Sequence, residues 1–374
     1  MFRTVALGLV SLICTSIASS QSPGTLPNTQ APPDPVLKDR PPAKPAGAAP
    51  SQARIHLDAV VDDAQGKPVT GLQPWDFELL DSDRPEKIVY FRAYDAAANL
   101  PNPPVEVILL FDELNISQQQ RSFARSQITQ FLRQNGGHLS HPVTIAHLSD
   151  AGLTIQPRPS TDGLALARLL AGIKGTVNTL NGGMGADGNL ERFRRSLRQV
   201  EAIAVNESQK PGRKLLIWVG PGWPILNSPN FSFNEKDRRN YFDAIVELTN
   251  HLREARMEVD SVSAVDPDPY ANSTAALLYK DYLKGVPTAR QADTGFLGLR
   301  VLAAETGGRI LGPDNDLVSQ MNQCVTDADT FYELWFTPPA ATHADEFHAL
   351  KLGVRKPGLT VHSTIAYYNE PPGH

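Results

Sequence analysis

Apolar residues change their period along this chain, and the changes divide it. Residues 5–18 (VALGLVSLICTSIA) form one apolar stretch of 14. Residues 21–52 then carry nine prolines among Ala, Ser and Gln, with few large apolar side chains. Such a segment cannot bury enough surface to offset its ordering entropy, so an extended linker is expected. From 53 to 95 apolar positions alternate: Ile55, Leu57, Ala59 and Val61, a turn at Ala64–Lys67, then Phe77 and Leu79. Alternation with period two predicts strands covered on one face. Residues 104–329 switch between short apolar runs and helical spacing. Val107–Phe111 and Leu215–Val219 are continuously apolar, as strands covered on both faces are, and Val143–Leu148 and Val259–Val265 are weaker runs of the same kind. Helical stripes lie between and after them, such as Leu190, Phe193, Leu197 and Val200, or Tyr241, Ile245, Leu248 and Leu252. A last stripe, Phe296, Leu299 and Ala303, is stopped by Gly307-Gly308. Residues 330–369 return to alternation through Tyr332, Leu334 and Phe336, and again through Val361, Ser363, Ile365 and Tyr367.

Strands alternating with helices predict an α/β fold over 104–329, a doubly wound and mostly parallel sheet of Rossmann type. The β-rich segments 53–95 and 330–369 flank it. Each is near the size below which a chain rarely folds alone. The expectation is that they pair as a small β-sandwich into which the α/β domain is inserted. Ligand sites in such sheets lie at the carboxyl ends of the strands.

Charge and the N-terminus narrow the partners. With 35 basic against 40 acidic residues the formal charge is −5, which gives no support for a nucleic-acid or anionic-membrane partner. Arg3 precedes the apolar stretch and small residues Ala18 and Ser20 follow it, so residues 1–20 read as a secretory signal peptide and the mature chain as periplasmic or secreted. A membrane helix needs about 20 apolar residues, and no stretch reaches that. Loss of Cys14 with the signal leaves Cys324 alone, without an intramolecular disulfide.

Five segments occur in a telling order: Gly66–Leu72 with Asp76–Glu78, Ile108–Asn115, Pro211–Val219, Ala303–Gly308 and Asp329–Leu334. Together they resemble the VWFA-related proteins abundant in acidobacteria. The resemblance implies a von Willebrand factor A-like domain, a fold used mainly for protein–protein binding. In that fold Mg²⁺ is commonly held by an Asp-x-Ser-x-Ser loop, a Thr from a second loop and an Asp from a third, and an acidic group of the partner completes its shell. Here Asp112 occupies the first position, but the serine positions are Leu114 and Ile116. Asn115 and Ser117 lie one residue later, Thr176 and Thr179 suit the second loop, and Gly220–Pro224 has no carboxylate. Asp266 follows a different strand. The metal site is therefore read as degenerate, with Asp112, Asn115, Ser117 and Thr179 as its only candidate ligands for Mg²⁺.

Other chemistry is weakly signalled. Ser117 with Gln120 fits a helix capping box. His138, His141 and His147 are near in sequence without zinc-like convergence. Gly183–Gly188 fits G-x-G-x-x-G, but no strand leads into it. No nucleophile elbow occurs. The function expected is an exported, non-enzymatic protein-binding module without a cofactor, contacting its partner through Asp112, Asn115, Trp223 and Asp266. The contact surface would comprise the loops Asp112–Ser117, Thr176–Gly188, Gly220–Asn227 and Asp266–Tyr270. The alternatives are a Mg²⁺-dependent adhesion protein and an exported hydrolase using Asp112 and Asp266.

Overall fold

The structure is a computed structural model, and it describes residues 54–95, 105–173, 186–223, 233–265 and 279–371. The expected signal peptide (1–20) and linker (21–52) lie outside them. The first strands are β1 (Ile55–Asp62), β2 (Phe77–Asp81), β3 (Arg84–Glu86) and β4 (Ile88–Asp95). A central section follows with β5 (Val105–Asp112), α1 (Gln118–Leu132), β6 (His138–Ser149), β7 (Gly152–Ile155), β8 (Ser160–Asp162), α2 (Gly163–Gly172) and α3 (Ala186–Ser208). It continues through β9 (Arg213–Val219), α4 (Glu235–Glu254), β10 (Met257–Val262), α5 (Leu299–Thr306), β11 (Ile310–Leu311) and α6 (Leu317–Asp329). The last strands are β12 (Thr330–Phe336), β13 (Glu346–Val354), β14 (Thr360–Ser363) and β15 (Ala366–Asn369).

The doubly wound, mostly parallel class is overturned by the strand pairing. Among the described residues, eight of twelve strand pairings are antiparallel. The parallel ladders are confined to β11-β10-β9-β5-β6. Even this central sheet is mixed, because β7 folds straight back on β6, Leu148 facing Leu153, and β8 pairs antiparallel with β6 as well. The cause is local. Only two residues separate β6 from β7, a connection that can join antiparallel strands but not parallel ones.

Two antiparallel four-stranded sheets account for the rest, ordered β14-β1-β12-β4 and β15-β13-β2-β3. Their inner residues share cores: Ile55, Leu57 and Phe336 of the first sheet with Leu79, Leu350 and Tyr367 of the second, and Ala59, Val61 and Leu334 with Phe77. Strands from the two ends of the described chain are direct neighbours, Ile55 opposite Phe336 and Ala59 opposite Tyr332.

The central sheet is covered on both faces. Val107, Leu109 and Phe111 pack with residues of α1, α2 and α6, while Ile108 and Leu110 pack with residues of α3, α4 and α5. Neighbouring residues of one strand point to opposite faces, so two facing cores require an unbroken apolar run. α5 ends at Gly307, with φ +85°, where an added Cβ would stand 2.5 Å from the Ser363 Cα. Only glycine lets the helix end in that conformation and β14 approach so closely.

Candidate functional site

β5 ends at Asp112, and the side chain turns inward. It is fully buried. The backbone N–H of Asn115 donates to its Oδ1 at 3.0 Å, and the Asn115 amide donates to both carboxylate oxygens at 3.1 and 2.9 Å. Trp218 of β9 donates its indole N–H to Oδ2 at 2.9 Å. The same Asn115 amide lies 3.0 Å from Ser196 Oγ on α3. Above the carboxylate, Gly220 has φ +153°, and a Cβ there would lie 2.9 Å from the Asp112 Cβ. Burial pushes the Asp112 carboxyl up to about 6, against the pull of its Asn115 and Trp218 hydrogen bonds. One carboxylate thus joins two central strands, the loop after β5 and α3.

The sequence-predicted residues divide on this geometry. Asp112 and Asn115 come together as a hydrogen-bonded pair. Ser117 is exposed and caps α1, its hydroxyl accepting from the Gln120 N–H at 3.3 Å while the Gln120 side chain accepts from the Ser117 N–H at 2.8 Å. Leu114 and Ile116 are buried in the two central cores. Trp223 is only 4% exposed. Its ring meets that of Trp218 edge-on at 5.2 Å, and its indole donates to the Leu297 carbonyl at 2.9 Å. Asp112 and Trp223 therefore do not present themselves to a partner, as expected of them from sequence, but support the edge from beneath. The reason is the same for both: each is held by a buried hydrogen bond that an exposed rotamer would break. Thr176, Thr179, Asp266, residues 183–185 of the glycine motif, and most of the loops Gly220–Asn227 and Asp266–Tyr270 lie outside the described residues.

A hard cation at Asp112 would face N–H donors on both oxygens. Mg²⁺ needs lone pairs directed at it in near-octahedral geometry. The donor set therefore does not fit the ion as the chain stands. Among the described residues no group of three or more His, Cys, Asp or Glu is arranged to hold a metal. His141 meets Asp329 at 2.8 Å and His147 meets Glu113 at 3.0 Å, in different places.

Glu113 shows what the sequence reading missed. It is completely buried, yet Arg125 donates to it at 2.8 Å, His147 meets it at 3.0 Å and Arg121 stands 3.9 Å away. Burial opposes its ionisation, but the His147 and Arg125 hydrogen bonds hold its carboxyl below the usual range. Arg125 also donates to the carbonyls of Leu170 and Ile173 at 2.8 and 2.9 Å, closing the C-terminus of α2. Residues 113, 125 and 147 belong to three different elements, and no spacing rule joins them. The only sequence signal is a carboxylate directly after a buried strand.

No protein-family model matches the chain, and no curated protein matches it. Among solved structures it is similar to the pilus adhesin SpaC from Lactobacillus rhamnosus GG in its open conformation, at 11% identity, covering 79% of this chain and 48% of that one with a TM-score of 0.35. It is similar to the human COPII-coat protein Sec24c at 11% identity, over 75% and 46% of the two chains with a TM-score of 0.31. It is also similar to proximal thread matrix protein 1 from the mussel byssus at 10% identity, over 57% and 49%, with a TM-score of 0.29. The chain spans about half the length of these proteins. At such scores fold and function rest on the chain's own geometry.

Proposed function

We propose that the chain is an exported, non-enzymatic protein-binding module that recognises a protein partner at the carboxyl edge of its central sheet without a metal ion. The observation that carries this reading is the closure around Asp112. A carboxylate with no exposure, saturated by N–H donors and roofed by Gly220, is neither an accessible base nor an open ligand, but it does make a rigid edge. Rigidity before contact reduces the ordering cost of association. Near this base α3 carries Arg192 and Arg195, with Asp150 and Glu191 near them. Mixed charge of this kind steers and orients a partner more than it adds affinity. The sequence resemblance to VWFA-related proteins points the same way. Among the described residues no helix is long and apolar enough to cross a membrane.

A photo-crosslinking amino acid placed at exposed Gln118 or Gln119 tests the edge, with exposed Glu78 on the antiparallel sheets as control. In an envelope extract of the producing cell the edge positions should give one discrete protein adduct that persists in EDTA. Adducts from Glu78 alone, or an adduct abolished by EDTA, would overturn the proposal. So would hydrolytic turnover that disappears in Asp112→Asn.

A further inference from the structure

A narrow cavity of about 30 Å³ opens where the antiparallel sheets meet the central section, lined by Asp58 of β1, Arg213 of β9, Arg253 at the end of α4, Arg256 just after it, Glu258 of β10 and Glu305 of α5. Three guanidinium groups on one small cavity are costly unless each is answered. Arg256 is answered by Asp58, to which it donates at 3.0 and 2.6 Å. Arg213, with only 1% of its side chain exposed, gives one Nη to the Asp327 carbonyl at 2.6 Å and the other to Glu258. Its Nε is buried with no hydrogen-bond partner. The Nε of Arg253 is in the same condition, and among the described residues the carboxylate in ion-pair reach of that guanidinium is Glu254 at 3.8 Å, largely exposed. Glu258 Oε1 is a third buried atom without a partner.

We propose that this cavity binds one small monovalent anion, a chloride or the head of a small carboxylate, on the Nε–H groups of Arg213 and Arg253. Size limits the ligand. The volume exceeds the 10–15 Å³ or so that one water requires, but leaves little room beyond a single small ion. Charge selects it, since the donors left over belong to cations. The facing carboxyls of Glu305 and Glu258 do not oppose an anion at neutral pH, and that of Asp58 is engaged by Arg256. Burial alone pushes Glu305 up to about 8, and Glu258 is also raised by burial and by nearby Asp260 and Asp327, against the pull of Arg213. As neutral acids they become O–H donors. Both ionise as pH rises through about 8, which places negative charge against the anion. The other titratable groups facing the cavity are His56 and Asp58 of β1, and Tyr368 of β15 interacts with Glu305.

Chloride-35 NMR line broadening by the intact protein, at constant ionic strength, reads the site directly. The wild type should broaden the line saturably, formate should reverse the effect, and sulfate should not. Arg253→Gln should weaken binding by roughly tenfold or more, the worth of a charged hydrogen bond. Glu305→Gln, which stays neutral, should bind at pH 7 like the wild type and lose less of the effect at pH 9. No saturable broadening, equal broadening by Arg253→Gln, or displacement by sulfate as readily as by formate would overturn the proposal. Equal loss between pH 7 and pH 9 in the wild type and Glu305→Gln would do the same.

Discussion

Arg309 stands in a buried charge cluster between β1 and the central section, and replacing it by Met tests what holds the antiparallel sheets to that section. Its guanidinium donates to both oxygens of Asp327 at 2.7 and 2.6 Å and reaches Asp62 of β1 at 2.9 Å, while its backbone N–H donates to Asp260 at 2.7 Å. Glu258 and Arg213 complete the group, and His362 meets Asp62 at 3.3 Å. Four acidic side chains thus share two guanidinium groups and one imidazole. Removing one partner of such a buried set leaves uncompensated charge and costs about 3–5 kcal/mol. The cost should depend on pH with a definite sign. Burial raises Glu258, Asp260 and Asp327 above their ordinary values. A raised acid contributes stability that is complete below its unfolded pKa and lost as pH rises through its folded pKa. Arg309→Met raises these acids further, so the gap from wild type should be widest above about pH 8 and should narrow as pH falls below about 7. Urea unfolding at pH 5, 6.5 and 8 measures it. A second substitution, Asp327→Leu, should recover much of the loss, because an apolar pair is often as stable as a buried ion pair. A single variant within about 1 kcal/mol of wild type at pH 8, or a pH-independent gap, would refute this account.

Glu333 should behave in the opposite sense. His56, Tyr94 and Arg256 outweigh burial and hold its carboxyl down to about 2, so Glu333→Gln should destabilise the protein at pH 7 by a margin that closes as pH falls from about 4.5 towards 2 in thermal melts. Gly307→Ala should cost about 2 kcal/mol or more, through its positive φ and the overlap with Ser363, seen as a lower urea midpoint at unchanged slope. Asp112→Asn turns an acceptor into a donor facing N–H groups and should cost about 1–3 kcal/mol at pH 5, with a smaller gap at pH 8 where the native carboxylate ionises in a buried place. Millimolar Mg²⁺ against EDTA should leave the thermal midpoint of wild type unchanged, since the Asp112 oxygens are already occupied by N–H donors.

What the sequence disclosed depended on how local each cause was. β5 and β9 could be read because burial on both faces demands an apolar residue at every position. The α1 cap could be read because Ser117 and Gln120 serve each other three residues apart. β7 and β8 were missed because four and three residues carry no usable period, and with them went the mixed character of the central sheet. Arg213 and Lys214 open β9 and are both buried, although the apolar run that announces the strand begins only at Leu215. The partners of Arg213, Glu258 and the Asp327 carbonyl, lie far along the chain, where no local pattern announces them. Asp112 and Asn115 were recognised as important, but their role as a closed pair depends on Trp218 and Ser196, which only the assembled fold brings beside them.

The pairing of β1 with β12 also governs the order in which the molecule can come into being. Ile55 finds Phe336 only after some 280 intervening residues have emerged. Loop closure over such a separation is slow, and strands awaiting partners expose open edges. A chain delivered from its N-terminus therefore holds β1 and β4 unpaired in their sheet until β12 arrives between them. The central section can close on itself earlier. Any fragment ending before about residue 330 would keep the central sheet but lack the strand that joins β1 to β4, and those two edges would be its points of aggregation.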